Sequence, residues 1–167
     1  MNLNKLFYLC LTILITINIT TKIFSKNLKK MDNTLIRPEY LKAGDTIAIV
    51  APSGVLNDHE NYINKAKKLL ESWELNVIIE KNVFNNYGHF SGTDKERTKD
   101  FQKALDDKTI SAIWCARGGY GAMRIIDDLD YSEYLKSPKW IIGYSDITAI
   151  HNDLNILGSE SIHGIMC

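Results

Sequence analysis

The sequence is poor in cysteine, and the few it has stand apart. Cys10, Cys115 and Cys167 are three in a chain of 167 residues, and no CxxC pair or Cys/His spacing brings them together. An odd number of isolated thiols supports neither a disulfide framework nor a zinc site. We therefore predict three unpaired thiols.

The sequence also lacks net charge. Lys and Arg together number 20, as do Asp and Glu, so the formal net charge is zero. No stripe of basic residues interleaved with aromatic residues appears anywhere in the chain. Because polyanions are bound by basic surfaces, this balance argues against nucleic acid as a partner.

No apolar run reaches the roughly 20 residues that a membrane-spanning helix needs. The longest run lies between Lys5 and Lys22 and reads LFYLCLTILITINITT. A short cationic start before such a run is typical of a secretory signal peptide. We predict that residues 1–30 are a signal peptide, or alternatively an uncleaved anchor that tethers the protein to the membrane, and that residues 31–167 form the folded domain. A functional leader implies export to the periplasm or cell envelope, and without one the protein would be cytoplasmic.

After the leader, apolar β-branched runs alternate with helical patterns. Strands are predicted at 45–54, 75–83, 109–116 and 139–144, with a fifth beginning in 159–166. Long helices are predicted at 58–74, 93–107 and 145–158, and shorter helical pieces at 122–129 and 131–137. The second long helix opens with a capping box formed by Thr93 and Glu96. This alternation predicts an α/β fold with a doubly wound, mainly parallel sheet.

Three loops of unusual composition follow the predicted strands. They are APSG (51–54), RGGYG (117–121) and GYSD (143–146). In open α/β sheets the working surface lies beyond the carboxyl ends of the strands, where loops pass into helices. We therefore expect the three loops to meet at one edge of the sheet.

The GYSD segment has the layout of a nucleophile elbow, although it lacks the second glycine of GxSxG. Gly143 would give room for a sharp turn, and the helix start beneath Ser145 would favour developing negative charge. The backbone N–H of Asp146 would then point to where an oxyanion forms. The alternative is that Ser145 is an ordinary helix N-cap, a position that serine favours at any helix start.

The RGGYG segment also allows more than one function. Gly118 and Gly119 let the backbone bring N–H groups close to a ligand, which suits a phosphate cradle or a second oxyanion donor. The segment matches neither a P-loop nor GxGxxG. Arg117 is either a clamp for a carboxylate or a solvated loop residue.

The histidines do not complete a catalytic triad. His151 follows Ser145 by six residues on the same predicted helix, about 9 Å along its axis, which is too far to take a proton from it. His163 lies on the predicted fifth strand, from which it could approach the cleft. His59 and His89 are expected to be exposed.

Four segments, in this order and spacing, resemble the N-terminal domain of the LD-carboxypeptidases. They are IRPEYLKAGDTIAIVAPSG, SAIWCARGGYGAMRIIDDLDY, KWIIGYSDITAIHNDL and SIHGIM, and the resemblance covers residues 36–167. This family comprises the muramoyl-tetrapeptide carboxypeptidases, grouped with the microcin C self-immunity peptidases. Ile165 replaces the proline of the family's HGPM segment, whose histidine, His163 here, is not the catalytic one.

The resemblance implies serine peptidases that remove the terminal D-alanine from murein tetrapeptides during peptidoglycan recycling. It implies that Ser145 is the nucleophile and that the backbone N–H groups of Asp146 and Gly119 form the oxyanion hole. The residues that it places along the substrate cleft are Arg117, Gly118 and Tyr120. It further implies a homodimer and no metal or organic cofactor.

The family takes the Glu and His of its triad from a second, C-terminal domain, which we do not expect within residues 31–167. The resemblance therefore predicts little or no peptidase activity for this chain alone. Two other functions remain open: a non-catalytic module that binds murein peptides, and a flavodoxin-like nucleotide binder that uses RGGYG.

Overall fold

The computed structural model describes residues 35–57 and 60–167, and the predicted leader lies outside these ranges, as do Asp58 and His59. The elements follow one another as β1 (Thr46–Val50), α1 (Glu60–Ser72), β2 (Asn76–Ile79), α2 (Asp94–Asp106), β3 (Ile110–Cys115), α3 (Ser132–Lys136), β4 (Trp140–Gly143), α4 (Thr148–Ile156) and β5 (Ile162–His163). Short 3₁₀ turns span Ala122–Arg124, Ile126–Asp128 and Ser145–Ile147.

The strands form one sheet in the order β2-β1-β3-β4-β5, and every neighbouring pair is parallel. The predicted doubly wound parallel sheet is thereby confirmed. The chain winds outward from β1 in both directions, so the switch point of the topology lies between β1 and β3. Because ligands of such sheets bind outside the carboxyl ends of the strands at the switch point, the loops after β1 and β3 are the first place to look for a site.

The core lies on both faces of the sheet. Ala48 and Val50 of β1 pack into a cluster with the α2 residue Phe101, whereas Ile47 and Ile49 point to the opposite face. There Ile47 packs with α1, and each of these four β1 side chains is at most 1% exposed. This two-sided burial is why β1 reads as a continuous apolar run rather than an alternating one.

The helix α2 is fixed at both ends. At its start the Thr93 hydroxyl accepts the N–H of Glu96 at 3.3 Å while the Glu96 carboxylate accepts the N–H of Thr93 at 2.8 Å, which confirms the predicted capping box. At its end the buried Lys139 ammonium donates to the carbonyls of Ala104 and Asp107 at 3.0 and 2.6 Å. The two carbonyls offset the cost of burying this charge at the negative end of the helix. Burial lowers the pKa of Lys139.

Several element boundaries differ from the predictions, and the strand predicted at 45–54 already ends at Val50. The strand predicted at 75–83 ends at Ile79, because the Asp100 carboxylate accepts both the backbone and the side-chain N–H of Asn82 at 2.7 Å and turns the chain. The predicted helix at 145–158 starts as a 3₁₀ turn and becomes α-helical only at Thr148. In the predicted fifth strand only Ile162–His163 pair with β4.

Among residues 35–57 and 60–167, no helix has both the length and the apolar character needed to cross a membrane.

Candidate active site

The chain passes from β4 into α4 through a sharp bend at Ser145. The φ angle of Ser145 is 61°, in the left-handed region that residues other than glycine seldom adopt. Its side chain is exposed, and the residue lies inside the 3₁₀ turn rather than before it. Neither that turn nor α4, both among the described residues, has a side-chain cap hydrogen bond. The helix-cap interpretation of Ser145 is therefore wrong.

Close packing beneath the bend explains why β4 ends in glycine. A Cβ at Gly143 would lie 3.0 Å from Cγ2 of Ile147 and 3.2 Å from Cβ of Cys115. Both neighbours are fully buried, so neither has room to move away. A larger residue at 143 would push the bend outward and displace Ser145 from the sheet edge.

Gly118 brings the loop after β3 against Ser145. A Cβ at Gly118 would lie 2.9 Å from Cβ of Ser145 and 3.1 Å from its Oγ. The next residue, Gly119, has a φ angle of 109°, which residues other than glycine rarely adopt. The two loops therefore touch on the same rim of the sheet, as the sequence predicted.

The loop after β1 joins the same rim through backbone contact. The N–H of Gly54 donates to the carbonyl of Gly118 at 2.9 Å. A Cβ at Gly54 would lie 2.8 Å from that carbonyl oxygen, and one at Gly119 would lie 3.2 Å from the Gly54 Cα. Three glycines thus let the two backbones approach with no side chain between them.

The carboxylate of Asp146 ties all three loops together. Its Oδ2 accepts the hydroxyl of Ser53 at 2.7 Å and the backbone N–H of Ala122 at 2.8 Å. Ser53 belongs to the loop after β1, and Ala122 comes shortly after the turn formed by Gly118 and Gly119, which we call the diglycine turn. Sequence reasoning considered only the backbone N–H of Asp146 and missed this function of its side chain.

Arg97 of α2 is a second residue that sequence reasoning missed. Its Nη1 donates to the carbonyls of Pro52 and Gly121, the latter at 2.8 Å, and its Nη2 contacts Asp94. The residue is 2% exposed. Burial holds the pKa of Arg97 below its ordinary value, although the nearby Asp94 and Asp146 carboxylates oppose this shift.

A signal for Arg97 was present in the sequence. It lies four residues before Phe101 and seven before Ala104, so it shares the apolar face of α2 with them. A charged residue in a core position is rare unless it is paired or hydrogen bonded.

Of the residues predicted to bind substrate, Arg117 and Tyr120 line cavities at this rim. Nη1 of Arg117 donates to the carbonyl of Val55 at 2.8 Å, and the side chain lines both cavities, of about 240 and 390 Å³. Tyr120 is 59% exposed and lines the smaller one, with its ring centroid 5.9 Å from that of Phe90. The larger cavity is also lined by Tyr144, next to the bend. The substrate-binding roles of Arg117, Gly118 and Tyr120 stay predictions.

The two histidines near the bend are engaged elsewhere. Nε2 of His151 donates to the carbonyl of Gly143 at 2.9 Å, so Nδ1 is the acceptor for the Ser161 hydroxyl at 2.8 Å. His163 pairs with Gly143 across the sheet, and its ring centroid lies 6.3 Å from that of Tyr144. Within the described ranges no hydrogen bond joins a histidine or a carboxylate to Oγ of Ser145.

We expect His151 to make the fold less stable in mild acid. Burial lowers its pKa below the ordinary value of 6.5, the Gly143 carbonyl opposes this, and nearby His163 adds to it. As the pH falls through 6.5, the unfolded chain takes up a proton that the folded chain does not, so the free energy of unfolding falls. Urea unfolding at pH 7.5, 6.5 and 5.5 measures this slope.

The His151→Gln variant keeps an N–H donor for the Gly143 carbonyl but cannot titrate, so its stability should fall less over the same pH range. The matched change His89→Gln alters an exposed loop residue and should retain the wild-type slope. Identical slopes for wild type and His151→Gln would contradict the expectation.

The described cysteines are poor alternatives to Ser145 as a nucleophile. Cys115 is fully buried and Cys167 partly buried, and neither is in a disulfide. Burial raises the pKa of both thiols, that of Cys167 to about 12, so little thiolate forms at neutral pH. In residues 35–57 and 60–167 the His, Cys, Asp and Glu side chains form no group of three that could hold a metal ion.

Comparisons with known proteins identify the family. Residues 47–164 match the family described as the LD-carboxypeptidase N-terminal domain. A Synechocystis sp. protein that bears a carboxypeptidase name is 33% identical over 137 residues, which cover 82% of this chain and 45% of the relative. The murein tetrapeptide carboxypeptidase of Pseudomonas aeruginosa is 29% identical over 119 residues, 71% of this chain and 38% of its own.

Among solved structures, that of MccF in complex with glutamyl sulfamoyl guanosine superposes with a TM-score of 0.68 and 27% identity. The match covers 75% of this chain and 37% of that one. The chain therefore spans less than half the length of each of these relatives.

Proposed function

Because the chain belongs to the LD-carboxypeptidase family through that family's N-terminal domain, we propose that it supplies the nucleophile of a serine-type peptidase. The proposed substrate is a murein tetrapeptide, and the bond cut is the L,D bond to its terminal D-alanine. The observation that carries the proposal is the exposed Ser145, held at φ 61° against the diglycine turn.

The proposed reaction starts when Oγ of Ser145 attacks the carbonyl carbon of the L-configured residue and passes its proton to a general base. The carbonyl oxygen becomes an oxyanion that accepts hydrogen bonds from the backbone N–H groups of Asp146 and Gly119. Collapse of this intermediate breaks the C–N bond, and D-alanine leaves as an amine that takes up the proton held by the general base. Water then hydrolyses the acyl-serine ester and regenerates the hydroxyl.

We propose that the general base is not among the described residues. Oγ of Ser145 has no histidine or carboxylate partner there, whereas the family resemblance points to a Glu and a His of a second domain. In serine hydrolases, removal of a triad member leaves only about 10³–10⁴-fold acceleration over water, from the oxyanion hole and substrate binding. Slow release of D-alanine by residues 1–167 alone is therefore the expected result.

A boronic acid tests the nucleophile without needing the base. In N-acetyl-L-lysine boronic acid, boron takes the place of the scissile carbonyl carbon. The serine oxygen adds to trigonal boron, its proton passes to the buffer, and boron becomes a tetrahedral anion that resembles the oxyanion intermediate. We expect a tetrahedral ¹¹B NMR signal with the purified chain, and competition by N-acetyl-L-lysyl-D-alanine. Absence of that signal would overturn the proposal.

One observation favours a second function, a module that binds murein peptides without cutting them. The Ser145 hydroxyl has no base beside it in the described part of the chain. Binding of the dipeptide by calorimetry, together with no tetrahedral boron signal, would support this function over the peptidase.

A further inference from the structure

We propose that Arg97 and Asp146 form a reciprocal clamp that holds the diglycine turn in register with Ser145. Both are positioning residues in this proposal, because their side chains bond to the neighbouring loops. The inference rests on the proposed function for its catalytic meaning, but the clamp itself is a statement about the three loops.

The clamp consists of one cation and one anion that hold the same two segments. Arg97 donates to the carbonyls of Pro52 and Gly121. Asp146 accepts from the very next residues, the hydroxyl of Ser53 and the N–H of Ala122. In each of the two loop segments, the Arg97 guanidinium therefore binds a backbone carbonyl, and the Asp146 carboxylate binds a hydrogen-bond donor of the next residue.

Burial makes these bonds difficult to replace. Arg97 is 2% exposed and Ser53 is fully buried, so water cannot readily take over as partner. Hydrogen bonds with one charged partner are stronger than neutral ones, and loss of one partner leaves the other buried and unsatisfied. Two opposite charges that share the same two segments therefore fix the spacing of the loops more firmly than neutral contacts would.

The held segments flank the residues that matter for the oxyanion hole. Ser53 immediately precedes Gly54, whose N–H donates to the Gly118 carbonyl at 2.9 Å. In the other held segment, Gly121 and Ala122 come shortly after Gly119 of the diglycine turn. Because Asp146 is also the residue after Ser145, its carboxylate links the bend itself to both segments. A shift of either segment would move Gly119 relative to Ser145.

Two variants remove one half of the clamp each, Arg97→Met and Asp146→Ala. We expect each to weaken the affinity for N-acetyl-L-lysine boronic acid by about 10²-fold, the penalty of misplacing a reacting group by about 1 Å. The double variant should be little weaker than either single one, because both charges hold the same segments. Asp146→Asn keeps an acceptor oxygen, and it should recover most of the affinity lost in Asp146→Ala.

Lys139→Met is the matched control for stability. Lys139 is also a buried cation that donates to two backbone carbonyls, but it closes the far end of α2. We expect this variant to lower the free energy of unfolding as the clamp variants do, and to keep wild-type affinity for the boronic acid. Equal weakening by Lys139→Met and Arg97→Met would mean that stability alone explains the effect, and it would overturn the proposal.

Hydrogen exchange of the Gly54 amide tests the clamp independently of serine chemistry. This N–H is bonded to the Gly118 carbonyl and touches neither clamp residue in the bonds described. It should exchange faster in Arg97→Met and Asp146→Ala, relative to the core amide of Ile49, but not in Lys139→Met. If the wild-type chain bound no boronic acid while Gly54 behaved as expected, the proposed function would fail and the clamp would stand. Unchanged Gly54 exchange in both clamp variants would refute the clamp.

Discussion

Replacing Ser145 by glycine is expected to raise the free energy of unfolding by about 1 kcal/mol while it abolishes the boronic acid adduct. The gain arises because Ser145 has φ 61°, where a Cβ is strained and glycine is not. The loss arises because the variant lacks the hydroxyl that lies against Gly118 of the diglycine turn. In any form of the protein that hydrolyses the peptide, turnover should fall by about 10⁴–10⁶-fold. Chemical denaturation and ¹¹B NMR measure the two effects.

Ser145→Ala separates the two causes. Alanine removes the nucleophile but keeps the Cβ, so the adduct should disappear with little change in stability. If Ser145→Gly were less stable than Ser145→Ala, the bend would not store the strain that its φ angle indicates. If either variant still formed the adduct, the nucleophile would be another residue.

Replacing Gly118 by alanine is expected to weaken the boronic acid adduct by about 10²-fold. The new Cβ would lie 2.9 Å from Cβ of Ser145, 3.1 Å from its Oγ and 3.3 Å from the carbonyl of Tyr144. These contacts are too short, so either the bend or the diglycine turn must move. Overpacking of this kind also destabilises, by about 1–3 kcal/mol. Affinity from a boronic acid titration and the free energy from urea unfolding give both numbers.

Gly88→Ala provides the comparison for this variant. Gly88 has φ 63° in an exposed loop, and a Cβ there would meet no atom within 4 Å. It should lose stability through backbone strain alone and retain the adduct at full affinity. An unchanged adduct in Gly118→Ala would mean that the diglycine turn does not contribute to the site.

The sequence by itself predicted the sheet and the position of the serine, because both depend on local patterns. The apolar run of β1 and the capping box of α2 are recorded in consecutive residues, and parallel strands then force their following loops to one edge. The quoted segments also carried the family resemblance, which the match over residues 47–164 confirms.

The sequence could not decide whether Ser145 was a helix cap or part of a strained bend. The same residues allow both, and the choice depends on how closely Gly143 packs on Ile147 and Cys115. Cys115 lies 28 positions before Gly143, on the neighbouring strand. A backbone angle that is set by such distant packing leaves no local trace.

The tertiary structure alone revealed what holds the site together. Arg97 and Asp146 are separated by 49 positions in the chain, yet they bind adjacent residues of the same two loops. In the sequence each is one charge among 40, and only folding distinguishes a buried charge with several partners from a solvated one. The sequence thus determined which residues could take part in catalysis. The packing of three loops decided which charged side chains hold those residues in place.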